Sequence, residues 1–164
     1  MKMIRKIDYF FRKTKFFRLG LCFIFISIFF SIVYAYLTNL FDNSVSVNSS
    51  KIEQNYFFYL LKSAVFAPII ETVLFQFLPI ELLRFLKFKS RYTIIIVGLF
   101  FGLAHFFNAF LLVDLIFFSC LGSIWCYAYL IIRSRDNGLY LSPLLMVLIH
   151  LGYNLFVFTL KYLF

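Results

Sequence analysis

Five apolar stretches take up most of this chain: Leu19–Leu40, Tyr56–Leu83, Tyr92–Phe110, Leu111–Ile132 and Leu141–Phe164. A helix crossing a hydrocarbon core needs roughly 20 residues, and each stretch approaches or exceeds that length. In lipid every backbone N–H and C=O must be satisfied by the protein itself, which a helix achieves within one segment. The stretches therefore predict an all-α, polytopic membrane helix bundle with about five transmembrane helices. Composition agrees, with 63% of the 164 residues hydrophobic and only 14% charged. A soluble domain is about one quarter charged, so this balance excludes an ordinary water-soluble enzyme, and equally a disordered chain. One integral membrane domain over residues 1–164 is expected.

Charge then assigns direction. Seven of the sixteen Lys and Arg residues lie in Lys2–Arg18, directly before the first apolar stretch. That placement reads as an orientation signal and not as a nucleic-acid surface. The second connection carries Arg84, Lys87, Lys89 and Arg91, and the fourth carries Arg133 and Arg135. The first (Phe41–Asn55) sets one Lys against Asp42 and Glu53, and the third, around Asn108, has no charge. Positive loops face the cytoplasm, so the basic segment 1–18 is expected there and the C-terminus outside. Tyr34, Tyr36, Tyr56 and Tyr59 then fall at the outer interface, and Tyr92, Tyr127, Tyr129 and Tyr140 at the inner one.

Val33-Tyr34-Ala35 loosely resembles a signal cleavage site, but its apolar stretch is too long and four more follow, so a retained span is expected. Lys62, Pro68 and Pro79 predict a bend or break in the second span. Cys22, Cys120 and Cys126 lack ligand spacing and read as small core residues. Asp136-Asn137-Gly138 reads as a turn with Gly138 at positive φ. Glu81 and Arg84 are expected to be solvated or paired at the inner interface. Asp114 is expected to support a helix N-terminus.

The informative residues are polar and lie in mid-span. Glu71, His105, His150 and Asn154 occupy three different apolar stretches, where an ionisable group costs a few kcal/mol and calls for a partner or a purpose. At 1.5 Å per residue, Glu71 and His105 lie about 18 and 20 Å from the cytoplasmic ends of their spans, and His150 and Asn154 about 14 and 20 Å. All four share one layer near the midplane. His150 and Asn154, four residues apart, share a helix face. His105 follows the GxxxG spacing of Gly98 and Gly102, which permits close helix approach and turns His105 toward neighbouring helices. A lone His or Asn in a membrane is often a hydrogen-bonding bridge between helices. Together, these residues supply the acid, base and donors that hydrolysis requires.

Three motifs carry a family resemblance. Glu71-Thr72 with Gln76, Phe101-Gly102-Leu103-Ala104-His105, and His150-Leu151-Gly152-Tyr153-Asn154 resemble, in order, the EExxxR, FxxxH and HxxxN motifs of the CPBP intramembrane proteases. That family includes the CAAX prenyl endopeptidases and the bacteriocin-immunity-type Abi proteins. The resemblance spans a core of about residues 63–158. The second and third motifs match in full. In the first, Thr72 stands for the second glutamate and Gln76 for the arginine, a paired loss of opposite charges that a neutral Thr72–Gln76 hydrogen bond could replace.

The resemblance implies an intramembrane endopeptidase in a bacterial inner membrane, acting on a peptide or protein substrate that is membrane-bound or prenylated, with no nucleic acid involved. It implies Glu71 as general base with His105 sharing the proton, and His150 and Asn154 stabilising the oxyanion, supported by Thr72 and Gln76. Glu71, His105 and His150 could also hold Zn²⁺ with one position open for water. HExxH is absent, however, and a metal-free glutamate mechanism fits the same residues. Two rivals stand beside this reading. One is a non-catalytic immunity or partner-binding protein of the same fold, which the altered first motif suggests. The other is a small transporter with a Glu71–histidine proton path.

Overall fold

The computed structural model describes residues 2–41, 58, 60–109, 112–135 and 137–163. The polar stretch 42–55, Tyr56, Tyr59, Asp136 and the side chain of Asn108 lie outside the described set. Among the described residues six helices follow in order: α1 (Lys2–Lys13), α2 (Phe16–Phe41), α3 (Leu61–Phe85), α4 (Ser90–Ala109), α5 (Leu112–Arg133) and α6 (Gly138–Leu163). No strand occurs among the described residues. Helices α2, α3, α5 and α6 are long and apolar enough to cross a membrane, and α4 contributes a shorter apolar helix over Ser90–Phe106. The chain is an integral membrane protein built as a polytopic helical bundle.

Helix α5 forms the axis. Trp125, Tyr129, Leu121, Ile131 and Ile132 along it are fully buried, among Phe23 of α2, Phe101 of α4 and Ile149 of α6. Against it lies α4, and the glycines explain how closely. A Cβ on Gly102 would stand 2.7 Å from the Leu115 carbonyl and overlap the Ser119 hydroxyl; one on Gly98 would stand 2.6 Å from the Ser119 carbonyl and overlap Ser123. The GxxxG spacing thus serves a contact inside the bundle. The indole of Trp125 donates to Ser27 Oγ at 2.8 Å, which ties α5 to α2.

The expected irregularity in the second span takes a specific form. Helix α3 does not break at its prolines; it widens before each one. Leu61–Phe66 and Val73–Phe77 are π-helical, and Pro68 and Pro79 fall in the first turn of the α-helical pieces that follow, Ala67–Thr72 and Leu78–Phe85. A proline in an α-helix has no N–H to donate and its ring crowds the carbonyl four residues back. A wider i→i+5 turn relieves that crowding. The N–H of Leu78 accordingly donates to the Val73 carbonyl, five residues back.

Several expectations need correction. The positive φ before α6 belongs to Asn137 (58°), and no described glycine has one. Gly138 answers a different demand, since a Cβ there would lie 2.5 Å from the Ile132 carbonyl. Cys126 is buried, but Cys22 is half-buried and Cys120 exposed, so the cysteines do not form one core class. Asp114 lies in the first turn of α5 and also accepts a hydrogen bond from the Tyr34 hydroxyl across the bundle. The basic segment is itself a helix. Asp8 of α1 accepts from Tyr127 of α5 at 2.8 Å, and Arg135 donates to the Phe11 carbonyl at 2.8 Å.

Candidate active site

The widened turns isolate a six-residue α-helical piece of α3, Ala67–Thr72, and Glu71 and Thr72 stand at its end. Adjacent residues on a helix point about 100° apart, so these two side chains address different neighbours. Glu71 Oε2 lies 3.5 Å from His150 Nε2 and 3.7 Å from His105 Nε2. Thr72 Oγ1 lies 3.1 Å from His150 Nδ1. Three of the four residues singled out in the sequence therefore meet at one carboxylate oxygen.

Both imidazoles are held from behind. His105 Nδ1 lies 3.0 Å from the carbonyl of Phe101, one turn earlier on α4. A carbonyl can only accept, so Nδ1 carries the proton, and Nε2 turns a lone pair toward Glu71 in the neutral ring. Its ring stacks on Phe118 of α5, with centroids 4.1 Å apart and planes 22° apart. His150 packs against Trp125 at 4.5 Å and edge-on to Phe101 at 6.0 Å. The side chain of His150 is 3% exposed, that of His105 19% and that of Glu71 30%. The carboxylate can be approached from outside; the histidine beneath it cannot.

Asn154 is placed differently. Its Nδ2 donates to the Ser63 carbonyl at 3.2 Å, one turn of α6 beyond His150, and so bridges α6 to the start of α3. The expected Thr72–Gln76 hydrogen bond is not formed. Thr72 turns to His150, while Gln76 is fully buried and neither atom of its amide has a partner among the described residues. Phe118 and Trp125, which wall the two imidazoles, were not singled out from the sequence. Trp125 is the one Trp in the chain, but in so aromatic a sequence that rarity carries little signal.

The donor set bears on zinc. Among the described residues no group of three or more His, Cys, Asp and Glu side chains could hold a metal ion. No step below is routed through a metal.

A family model describing the type II CAAX prenyl endopeptidase Rce1-like proteins matches residues 53–156. The chain belongs to that family. The Rce1-like region takes in α3, α4, α5 and the part of α6 that carries His150 and Asn154, and leaves α1 and the whole of α2 outside it. Its members are CAAX-type intramembrane proteases, so protease activity on peptide substrates in a lipid bilayer holds at the level of the family. Neither a curated protein nor a solved structure matches the chain.

Proposed function

We propose that this Rce1-like chain is an intramembrane endopeptidase in which Glu71 activates a water for attack on a peptide carbonyl. The observation that carries the reading is the convergence of two imidazole Nε2 atoms on Glu71 Oε2, at 3.5 and 3.7 Å, each ring anchored through its Nδ1. Those separations exceed a direct N–H···O bond, and one water between the three groups would satisfy them all. Glu71 takes the proton as that water adds to the carbonyl. His105, its lone pair fixed toward the carboxylate, shares the proton and passes it to the leaving amine. His150, in the dry interior, donates from Nε2 to the developing oxyanion. Asn154, with one N–H anchored on Ser63, offers its second N–H to the same oxyanion.

The substrate is a membrane-bound or prenylated peptide segment. The membrane is a bacterial inner membrane, and loop charge supports a cytoplasmic N-terminus. The deciding experiment compares membrane proteomes of cells carrying wild type or Glu71→Gln. Fragments that appear only with wild type, while both proteins accumulate equally, support the proposal and name the substrate. Identical proteomes would remove it.

One observation favours a second reading, a non-catalytic immunity or partner-binding protein. The family's second glutamate and arginine are replaced here by Thr72 and Gln76, and the Gln76 amide has no partner among the described residues. In that case the biological activity of the chain would survive Glu71→Gln.

A further inference from the structure

At the end of the bundle where α1, α3, α4 and α5 meet, far along α3 from Glu71, lies a cleft of about 320 Å³. Three guanidinium groups from three different helices line it: Arg12 of α1, Arg84 of α3 and Arg133 of α5. Ser90 and Thr93, from the first turn of α4, line it too. The first N–H groups of a helix carry partial positive charge and lack partners within the helix, and α4 is 20 residues long. The residues lining the cleft are thus cationic, hydroxyl-bearing or apolar, and none of them is acidic.

The neighbouring carboxylates explain how three arginines can gather. Asp8 Oδ2 accepts from Arg12 Nε at 2.8 Å. Glu81 Oε1 accepts from Arg84 at 3.3 Å, Arg133 Nε at 3.1 Å and the Tyr129 hydroxyl at 2.7 Å. Both acids hold the guanidiniums from outside the cleft and leave an excess of one positive charge. A guanidinium has five N–H donors. Among the described residues Arg12 makes two hydrogen bonds and Arg84 and Arg133 one each, so most of their donors remain for an acceptor-rich ligand.

The rest of the wall is apolar, with Phe88, Ile94 and Leu130 beside the arginines. A polar head joined to an apolar body suits that combination better than a bare ion. We infer that this cleft binds a phosphate group, presented by an anionic phospholipid headgroup at the membrane face that loop charge assigns to the cytoplasm. Arg12 comes from α1 and Arg84 from α3, so a headgroup held by both also clamps α1 onto the bundle. This inference is independent of the chemistry proposed at Glu71.

The test uses the full chain, purified and exchanged into bilayers of phosphatidylcholine alone or with phosphatidylglycerol, and separately into detergent with inorganic phosphate. Native mass spectrometry reads bound lipid and thermal unfolding reads protection. Retention of phosphatidylglycerol over phosphatidylcholine is expected, weakened about tenfold by Arg84→Gln, the effect of losing one charge-assisted hydrogen bond. Ser90→Glu is expected to abolish it, since a carboxylate at that helix start favours folding yet faces the incoming phosphate. Should Arg84→Gln fail to fold, Ser90→Glu decides. Protection by inorganic phosphate without lipid discrimination would support a phosphate site filled from solution. Equal retention of both lipids with no effect of phosphate, or unaltered binding by Ser90→Glu, would overturn the inference.

Discussion

The hydroxyl of Thr72 stands 3.1 Å from Nδ1 of His150, while the carboxylate of Glu71, the preceding residue, faces that ring's other nitrogen at 3.5 Å. Two adjacent residues on α3 thereby grip one imidazole at both ends. A second-site contact of this kind fixes ring orientation, and orientation decides where Nε2 points. Thr72→Val keeps the shape and removes the hydrogen bond. We expect kcat for the substrate found by the proteome comparison to fall about tenfold with KM little changed, and Thr72→Ser to restore it. Equal kcat in Thr72→Val would show that packing alone orients His150.

Gln76 presents the opposite case, a fully buried amide whose two polar atoms have no partner among the described residues. Leaving such a group unsatisfied costs about 1–3 kcal/mol. Gln76→Leu should therefore raise stability by an amount in that range, read from unfolding of the purified chain in detergent. Restoring the family pair is the complementary measurement. Thr72→Glu alone buries an unpaired carboxylate and should destabilise, whereas adding Gln76→Arg should recover part of the loss, with a coupling of about 0.5–3 kcal/mol.

The sequence was most legible where lipid forces the issue. Apolar length alone predicted a helical bundle, and the shared depth of Glu71, His105 and His150 anticipated their meeting. Asn154 was legible in depth but not in partner, because Ser63 offers a backbone carbonyl and no side-chain pattern marks it. The π turns of α3 were half visible: Pro68 and Pro79 announced irregularity, but not that the helix would widen and continue. Asn137 and Gly138 show why turn chemistry misleads. Asparagine tolerates the left-handed region, which left the glycine to admit a close carbonyl instead. The helical character of α1 was obscured by its charges, which read first as an orientation signal.

Gly102 tests whether close approach of α4 and α5 sets the position of His105. Its missing Cβ faces the Leu115 carbonyl and the Ser119 hydroxyl, backbone and a short side chain that have little room to move. Gly102→Ala should destabilise by about 1–3 kcal/mol, the usual penalty of overpacking. It should also lower activity beyond what the stability loss explains, because His105 lies one turn further along the same helix face. Gly20→Ala is the control. A Cβ there meets the end of the Leu145 side chain at 3.3 Å, which can yield by a few tenths of an ångström, so a change near zero is expected.

The docking of α1 should respond to acid. Arg12, hydrogen-bonded to Asp8, holds the Asp8 carboxyl below the usual aspartate range; slight burial opposes this and the Tyr127 hydroxyl adds to it. A carboxyl whose value is lowered in the folded state stabilises fully above its unfolded value, and that contribution is lost as pH falls through the lowered one. The Asp8 side chain is 36% exposed and therefore screened by solvent, so the effect concerns the local attachment of α1 and not global stability. Amide hydrogen exchange in α1, corrected for intrinsic rate, should stay level from neutral pH down to the usual aspartate range and quicken below it. Asp8→Asn should show the quicker exchange already at neutral pH, and cleavage by trypsin after Lys13 or Lys15 should rise with it. A variant with wild-type exchange would mean that the Arg135–Phe11 bond and the packing of Phe11 on Phe23 suffice to hold the helix.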